Sequence, residues 1–202
     1  HHLSVIDNSS DPPIRLSDHP DVDYLVWDEE QPPNLSRLWN LGVTAAGQCA
    51  RHAGATRWDT LVVNDDFVAG PGFVDGLQKP LRGTHAVLAS PYVFDGTSGR
   101  GTGRVDVYEA PGTLVNIGTR MAGFAWMIKG EAGLRLDESI KWLYGDDDIA
   151  QQAAGAGGRL VVHGLTWEHR HPNGGTTGNP LLAEQGGVDR QTFVAKWGFQ
   201  PW

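Results

Sequence analysis

The sequence predicts an α/β fold in which a mixed, mostly parallel sheet is flanked by helices. The first observation is an order of strand, strand, helix, strand over residues 3–66, which is typical of parallel sheets covered by helices. The second is the run VVNDDFVAG at residues 62–70, where a buried strand ends in two adjacent acids. The third is the absence of any internal repeat or clear linker in 202 residues of ordinary globular composition. We therefore expect a single domain over residues 1–202.

Seven apolar runs rich in β-branched and aromatic residues predict strands. Clusters of Gly, Pro, Asn, Asp and Ser bound them, as expected for turns. We expect the strands at residues 3–6, 22–28, 58–66, 85–95, 104–110, 123–130 and 159–169.

Helical spacing of apolar residues predicts one long helix and four short ones. The long helix runs from Leu35 to about His52, with Asn34 or Ser36 available as its N-cap. We expect the short helices within residues 70–81, 136–145, 146–157 and 189–199.

Composition excludes several classes of function. The formal charge of -8 provides no basic face, so nucleic acid is not an expected partner. The single Cys49 excludes an internal disulfide and any zinc site with several cysteines. No stretch approaches the roughly 18 apolar residues of a membrane span. We expect a cytoplasmic protein without a membrane span. Separately, we expect Trp197 and Trp202 in the tail to cover a sheet edge or to contact a second copy in a homo-oligomer.

Asp65 and Asp66 follow the predicted strand at residues 58–66. The carboxyl ends of strands form the ligand-binding crevice of open α/β sheets. Two neighbouring carboxylates repel each other unless a cation compensates, and Mg²⁺ or Mn²⁺ prefers such oxygen ligands. An equally good interpretation is a turn in which Asn64 and Asp65 bond to the backbone.

A second acidic cluster, Asp146, Asp147 and Asp148, comes directly before a predicted helix. Aspartate is a favoured N-cap and complements the helix dipole, so one or two of the three need no catalytic role. Three in succession exceed what capping requires. One of them held near a substrate hydroxyl would be able to act as a general base.

Three histidines lie in HGLTWEHRHPNGG at residues 163–175, but the stretch lacks the HExxH spacing of zinc peptidases. A single histidine from this strand end would still complete an oxygen-rich metal site. The alternative is a histidine that serves only in surface hydrogen bonding.

Taken together and in order, these segments resemble the GT-A glycosyltransferases, specifically the inverting group called family 2, from about Leu3 to His171. LSVIDNSSD resembles the strand with the nucleoside-contacting Asp of the family, and NLSRLWNLGVTAAG resembles the segment that follows it. LVVNDD resembles the stretch with the DXD motif, GFAWMIKG and YGDDD resemble the acceptor region with its acidic pair, and WEHRH resembles the strand whose His joins the metal.

The resemblance implies a role for each matching position, within a nucleotide-binding part at about residues 1–70, an acceptor part at about 71–175 and a tail at 176–202. The implied roles are nucleoside and donor binding by Asp7, Asn8, Asn34, Asn40 and Asp65; metal binding by Asp66 and either His169 or His171, with His169 preferred; acceptor binding by Gly123, Trp126 and Asp146; and general base catalysis by Asp147. The expected cofactor is Mn²⁺ or Mg²⁺. The expected partners are a nucleotide diphosphate sugar and an acceptor of unknown class, whether glycan, lipid or protein.

Several features depart from the family pattern. Asn64 replaces the first acid of the DXD motif, and nothing ahead of Leu3 matches the first strand and helix of the family. We expect that unit to be lost, outside this sequence or supplied differently. The alternatives are a nucleotidyltransferase and a catalytically inert nucleotide- or sugar-binding domain. Indole stacking on an acceptor sugar is considered for Trp126, Trp142 and Trp167, with core packing as the preferred interpretation for at least two of them.

Overall fold

The fold comes from a computed structural model that describes residues 1–93, 103–109, 121, 123–170 and 179–201. These ranges contain nine strands and four helices. The strands are β1 (Ser4–Asn8), β2 (Tyr24–Asp28), β3 (Asp59–Val63), β4 (Phe67–Ala69), β5 (Leu88–Pro91), β6 (Val105–Tyr108), β7 (Ala125–Lys129), β8 (Arg159–Val162) and β9 (Trp167–His169). The helices are α1 (Leu35–His52), α2 (Phe73–Gly83), α3 (Gly145–Ala156) and α4 (Pro180–Trp197).

The strands form one five-stranded sheet and two small sheets. The large sheet has the order β3-β7-β5-β8-β6, while β1 pairs with β2 and β4 pairs with β9. Three of the four pairings in the large sheet are antiparallel, and only β5 and β8 are parallel. The α/β class is therefore confirmed, but the prediction of a mostly parallel sheet is wrong. Residue periodicity identifies a strand without giving its direction. Strand β7 lies between β3 and β5 and is antiparallel to both.

Strand directions determine which chain ends share an edge of the large sheet. Because β7 is antiparallel to both β3 and β5, and β8 is parallel to β5, strands β3, β5 and β8 run in the same direction. Their carboxyl ends lie at one edge, together with the start of β7. Helix α3 contacts β8, the strand that follows it in the chain. The acidic residues after β3 are thus on the side of the sheet where β7 begins.

Two groups of buried side chains fill the faces of the large sheet, and β7 contributes to both. Trp126 and Ile128 pack with α1 and α3, whereas Ala125 and Met127 pack with α2. Alternate residues of a strand point to opposite faces, so β7 is a central strand buried on both sides. The apolar run that predicted this strand results from that double burial.

Helix α1 begins and ends close to the predicted residues. Asn34 is its N-cap, and the Asn34 side chain accepts a hydrogen bond from the Arg37 N–H. The basic residues Arg51 and His52 occupy the last turn, where they complement the helix dipole. The helix contacts β1, β2 and β3, and so joins the small β1–β2 sheet to the large one.

Other predicted elements differ from the structure. Residues 136–145 were expected to be helical, but residues 133–144 contain no helix. The predicted strand at 159–169 is two strands, β8 and β9, and the short strand β4 was not predicted. Helix α4 begins at Pro180, nine residues before its predicted start. The glycine-rich stretch GTSGRGTG at residues 96–103 lies almost wholly outside the described residues.

None of the helices in the described parts of the chain combines the length and apolar character needed to cross a membrane.

Candidate functional site

The acids that follow β3 lie in a tight turn. Asn64 follows the last residue of β3, and its N–H donates to the Phe124 carbonyl oxygen at 2.9 Å. The Phe67 N–H donates to the Asn64 carbonyl oxygen at 3.2 Å, which closes the turn around Asp65 and Asp66. The turn interpretation of the acidic pair is therefore correct as a description of the backbone. It leaves the Asp66 carboxylate pointing inward, while Asp65 is exposed.

Pairing of β4 with β9 brings a histidine to Asp66. Phe67 is opposite His169 in this antiparallel pair, and the Arg170 N–H donates to the Asp66 carbonyl oxygen at 2.9 Å. His169 Nε2 lies 3.0 Å from Asp66 Oδ1. The His169 side chain is 9% exposed and that of Asp66 is 21% exposed. Two residues about 100 positions apart thus meet at the same end of the sheet.

The short distance between Asp66 and His169 is not a well-aligned hydrogen bond. Asp66 Oδ1 is buried and has no hydrogen-bond partner among the described residues, and neither has His169 Nδ1. Buried polar atoms in proteins are nearly always paired, so such exceptions call for an explanation. A carboxylate oxygen and an imidazole nitrogen that face each other are suitable ligands for one divalent cation.

Phe124 connects the Asp66–His169 pair to the second acidic cluster. The rings of Phe124 and His169 stack with centroids 4.2 Å apart. Gly123, the preceding residue, lies against Asp146, since an ideal Cβ at Gly123 would be only 2.6 Å from Asp146 Oδ2. A side chain at position 123 would therefore require the Asp146 carboxylate to move. The predicted acceptor residues Gly123 and Asp146 are brought together beside the predicted metal ligands.

Asp147 lies in the first turn of α3, where the three acids complement the helix dipole. Its side chain is 8% exposed. Arg159 is a nearby charge: burial lowers the pKa of Arg159, while electrostatic attraction to Tyr108 and Asp147 acts in the opposite direction. Asp148 is fully buried and serves the fold, because it accepts hydrogen bonds from Trp197 and Gln152.

The residues assigned to the nucleoside are engaged within the chain. Asp7 is 1% exposed, and its two oxygens accept the N–H groups of Ser10 at 2.9 Å and Ile14 at 3.0 Å. Burial acts to raise the pKa of Asp7, but these hydrogen bonds outweigh it, so the pKa is below the ordinary value of 3.8. The Asn8 side chain donates to the Asp28 carbonyl oxygen at 3.1 Å. Both residues close the loop after β1.

Asn34 and Asn40 bind the irregular segment ahead of α3. The Asn34 amide donates to the Glu138 carbonyl oxygen at 3.0 Å in addition to its N-cap role. The Asn40 side chain accepts from the Leu136 N–H at 2.9 Å and donates to the Leu136 carbonyl oxygen at 3.0 Å. These amides join α1 to residues 136–138, so both side chains have a structural role.

The tryptophans considered for sugar stacking are mainly core residues. Trp126 is fully buried and packs edge-on against Trp39, with ring centroids 5.6 Å apart. An indole with no exposed surface has no face to offer an acceptor, and the predicted acceptor contact of the Trp126 side chain is corrected accordingly. Trp167 is 4% exposed, and Trp142 is half-buried. His171, the other candidate metal ligand, and Trp202 lie outside the described residues.

A divalent cation fits the Asp66–His169 pair, although the pair by itself makes an incomplete site. Within the described ranges there is no group of three or more His, Cys, Asp or Glu residues arranged to hold a metal ion. Mg²⁺ and similar ions are commonly held by one or two protein ligands together with substrate phosphates and water. Asp66 Oδ1 and a nitrogen of His169 would supply the protein ligands in such an arrangement.

Sequence reasoning missed two components of this site. Phe124, which links His169 to Gly123, was read only as part of a strand. The β4–β9 pairing was missed because each strand has three residues, too few for a period-two pattern to stand out. Neither FVA nor WEH carries a periodic signal that would have revealed the pairing.

Comparison with known proteins does not assign this chain to a family. No protein-family model matches the sequence, and no curated protein matches it significantly.

Proposed function

We propose that this protein is a metal-dependent inverting glycosyltransferase that moves a sugar from a nucleotide diphosphate sugar to an acceptor hydroxyl. The observation that supports this most strongly is the continuous contact path from Asp66 through His169, Phe124 and Gly123 to Asp146. Residues that the GT-A resemblance assigns to the metal and to the acceptor are therefore connected in space, and Asp147, the proposed base, follows Asp146 in the chain. If the acids after β3 served only a turn, and those at the start of α3 served only the helix end, no such path between them would be needed.

The donor diphosphate would lie at the end of β3. Asp66 and His169 would hold a divalent cation there, and this cation would stabilise the negative charge that develops on the leaving diphosphate. Asp66 contributes a carboxylate oxygen, and the neutral imidazole of His169 contributes a nitrogen. The chain as a whole carries a formal charge of -8, so a bound diphosphate needs local positive charge of this sort.

Asp147 would act as general base on the acceptor. Its carboxylate takes the proton of the acceptor hydroxyl as the oxygen attacks the anomeric carbon from the face opposite the diphosphate. The bond between the anomeric carbon and the diphosphate oxygen breaks, and a nucleoside diphosphate leaves with the bonding electrons. The anomeric configuration inverts. Burial of Asp147 and its place in the first turn of α3 keep the carboxylate fixed beside Asp146.

A second candidate is a nucleotide- or sugar-binding domain without catalysis. Asn64 in the place of an acid favours it, and so does the use of Asp7, Asn34 and Asn40 in bonds within the chain. Such a domain would bind the donor without turnover.

Turnover separates the two candidates. Purified protein is incubated with UDP-, GDP- and dTDP-sugars with and without Mn²⁺, and release of nucleoside diphosphate is measured together with binding. The proposal expects Mn²⁺-dependent release with one donor, absent in Asp147→Asn and retained in the exposed control Asp75→Asn on α2. Binding without release in the wild-type protein would support the inert domain, and neither binding nor release would refute both.

A further inference from the structure

Asp189 is a buried carboxylate that takes no part in the proposed reaction. It lies in α4, is 0% exposed and accepts three consecutive backbone N–H groups. The donors are Lys141 at 2.9 Å, Trp142 at 2.7 Å and Leu143 at 2.9 Å. Gln185, one turn earlier in α4, donates to Asp189 Oδ1 at 2.7 Å. A carboxylate with this many donors is a strong and geometrically defined anchor.

The segment that Asp189 binds has no regular structure of its own. Residues 133–144 form neither a helix nor a strand, so their backbone groups need partners elsewhere. Asn40 binds Leu136 from α1, and Ser36 donates to the Ile140 carbonyl oxygen. Asp189, from α4, binds the following three residues. The segment is held between α1 and α4 and leads directly into the acidic tip of α3.

Tyr144 follows the three bound residues and has a left-handed backbone conformation, with φ of 69°. For a residue other than glycine this conformation is costly and persists only where the surroundings enforce it. Such residues occur preferentially at functional sites. Here the next three residues are Gly145, Asp146 and Asp147, so the φ angle of Tyr144 sets the direction in which the tip of α3 begins.

Helix α4 also approaches the segment at a second point. An ideal Cβ at Gly186 would lie 2.7 Å from Leu143 Cδ1, so the Leu143 side chain would have to move to make room for a larger residue. Near the end of α4, Lys196 Nζ lies 2.8 Å from Asp148 Oδ1 and 2.9 Å from Asp137 Oδ2. Hydrogen bonds to these two acids raise the pKa of Lys196 against the opposing effect of burial. Helix α4 thus binds the chain both before Asp146 and Asp147 in the sequence and directly after them, at Asp148.

We propose that Asp189 is a positioning residue for Asp146 and Asp147 in the first turn of α3. By binding the backbone of residues 141–143, it keeps Tyr144 left-handed and orients the two acids toward the proposed cleft at the end of β3. This inference rests on the proposed glycosyl transfer for its catalytic consequence. The physical part, that Asp189 holds the segment in place, stands independently of the reaction. Small misplacements of a base cost much in rate because general base catalysis needs hydrogen-bond reach.

The test uses Asp189→Asn, in which an amide replaces the carboxylate that three N–H groups require. Arg190→Ala is the matched control, because Arg190 is the next residue of the same helix. Its side chain is exposed and donates a hydrogen bond to the side chain of Gln200. We expect Asp189→Asn to lower kcat by roughly 10- to 100-fold with the donor KM within about twofold of wild type. Amide hydrogen exchange should accelerate at residues 141–148 and stay unchanged in β5 and β8.

A second change distinguishes positioning from general destabilisation. Glycine adopts a φ of 69° without steric cost, so adding Tyr144→Gly to Asp189→Asn should restore several-fold of the lost kcat. If Asp189→Asn does not fold, Gly186→Ala provides the same test, since it displaces Leu143 while keeping the carboxylate. The same pattern of slower turnover and faster exchange at residues 141–148 is then expected, at smaller size.

Three results would overturn the proposal: a kcat no lower than that of Arg190→Ala, unchanged exchange at residues 141–148, or a loss confined to donor KM. If the wild-type protein transfers no sugar, the glycosyltransferase proposal fails and exchange alone decides. Faster exchange at residues 141–148 in Asp189→Asn would then support the anchoring role, and unchanged exchange would refute it.

Discussion

Two sets of polar residues near the carboxyl ends of the strands differ in what they bind. On the β1 and α1 side, Asp7, Asn34 and Asn40 have their side chains bonded to the backbone of the same chain. On the β3 side, Asp66 and His169 face each other with buried atoms that lack hydrogen-bond partners among the described residues. Both sets were predicted from the same family resemblance. The difference supports a structural role for the first set, and our proposal assigns the second set to a ligand.

Burial and hydrogen bonding therefore separate structural residues from candidate ligand-binding residues better than the sequence motifs do. A polar group that the fold satisfies contributes to stability, and its loss leaves a buried partner unpaired. A polar group that the fold leaves unsatisfied is a candidate for substrate or metal. This division predicts that substitutions in the two sets separate into activity effects and stability effects.

The largest expected effect is at Asp147. Replacing it with Asn removes the proposed base while keeping the shape and burial of the side chain, so transfer should fall by roughly 10²- to 10⁴-fold. Donor affinity should stay near that of the wild type. Steady-state kinetics and calorimetry with the active donor measure the two quantities. Loss of donor binding in a folded variant would show that Asp147 binds the donor and would count against its role as the base.

The next largest effect is expected at the metal pair. Asp66→Ala and His169→Ala should each remove the Mn²⁺-dependent part of donor affinity, about tenfold or more, which corresponds to about 1.4 kcal/mol. Asp75→Ala on α2 is the control, because its carboxylate is exposed and has no assigned role in the site. Calorimetry of nucleoside diphosphate binding with and without Mn²⁺ measures the change. Equal Mn²⁺ dependence in all three variants and the wild type would remove Asp66 and His169 from the site.

Asn40 tests the other half of the comparison. Asn40→Ala leaves the N–H and carbonyl groups of Leu136 without their partner, which should lower the free energy of unfolding by about 2–4 kcal/mol. Urea unfolding measures the loss. Donor affinity of the folded variant should be unchanged, and an intact stability with weakened donor binding would reverse the assignment of Asn40.

The smallest effect is expected at Asp7 and depends on pH. Because hydrogen bonds lower the pKa of Asp7 in the folded protein below 3.8, its ionised form stabilises the fold above about pH 3.8. That contribution is lost as the pH falls through the lowered pKa of the folded state. In Asp7→Asn this pH-dependent part is absent.

Thermal unfolding of the wild-type protein and Asp7→Asn between about pH 2.5 and pH 7 measures this difference. The gap in stability should be largest near neutral pH and narrow below pH 3.8. A gap that is constant across the range would mean that the Asp7 carboxylate does not stabilise the fold through its charge.

The sequence predicted those parts of the fold that local patterns determine. The limits of α1 follow from the Asn34 cap and the helical spacing of apolar residues, and most strands follow from short buried runs. Strand direction did not follow, because a strand has the same period in either direction. Residues 136–145 look helical locally, but Asn40 and Asp189, distant in sequence, hold their backbone in another conformation.

The site was predictable in the same partial way. Asp66 and Asp147 were identified from acids at element ends, and His169 was preferred as the metal ligand on resemblance. The contact between Asp66 and His169 depends on the β4–β9 pairing, and the contact between Gly123 and Asp146 depends on how the chain folds around the start of β7. Neither arrangement leaves a periodic signal in the sequence.

Paramagnetic broadening by Mn²⁺ tests most directly whether the two acidic tips share one cleft. In an NMR spectrum of the protein with a nucleoside diphosphate, Mn²⁺ held at Asp66 should broaden the amide signals of Gly123, Asp146 and His169 first. The signals of Trp58 and Gly130, at the opposite end of β3 and β7, should persist, and Asp66→Ala should abolish the pattern. Broadening that spares Gly123 and Asp146, or that centres on the opposite edge of the sheet, would contradict a common cleft.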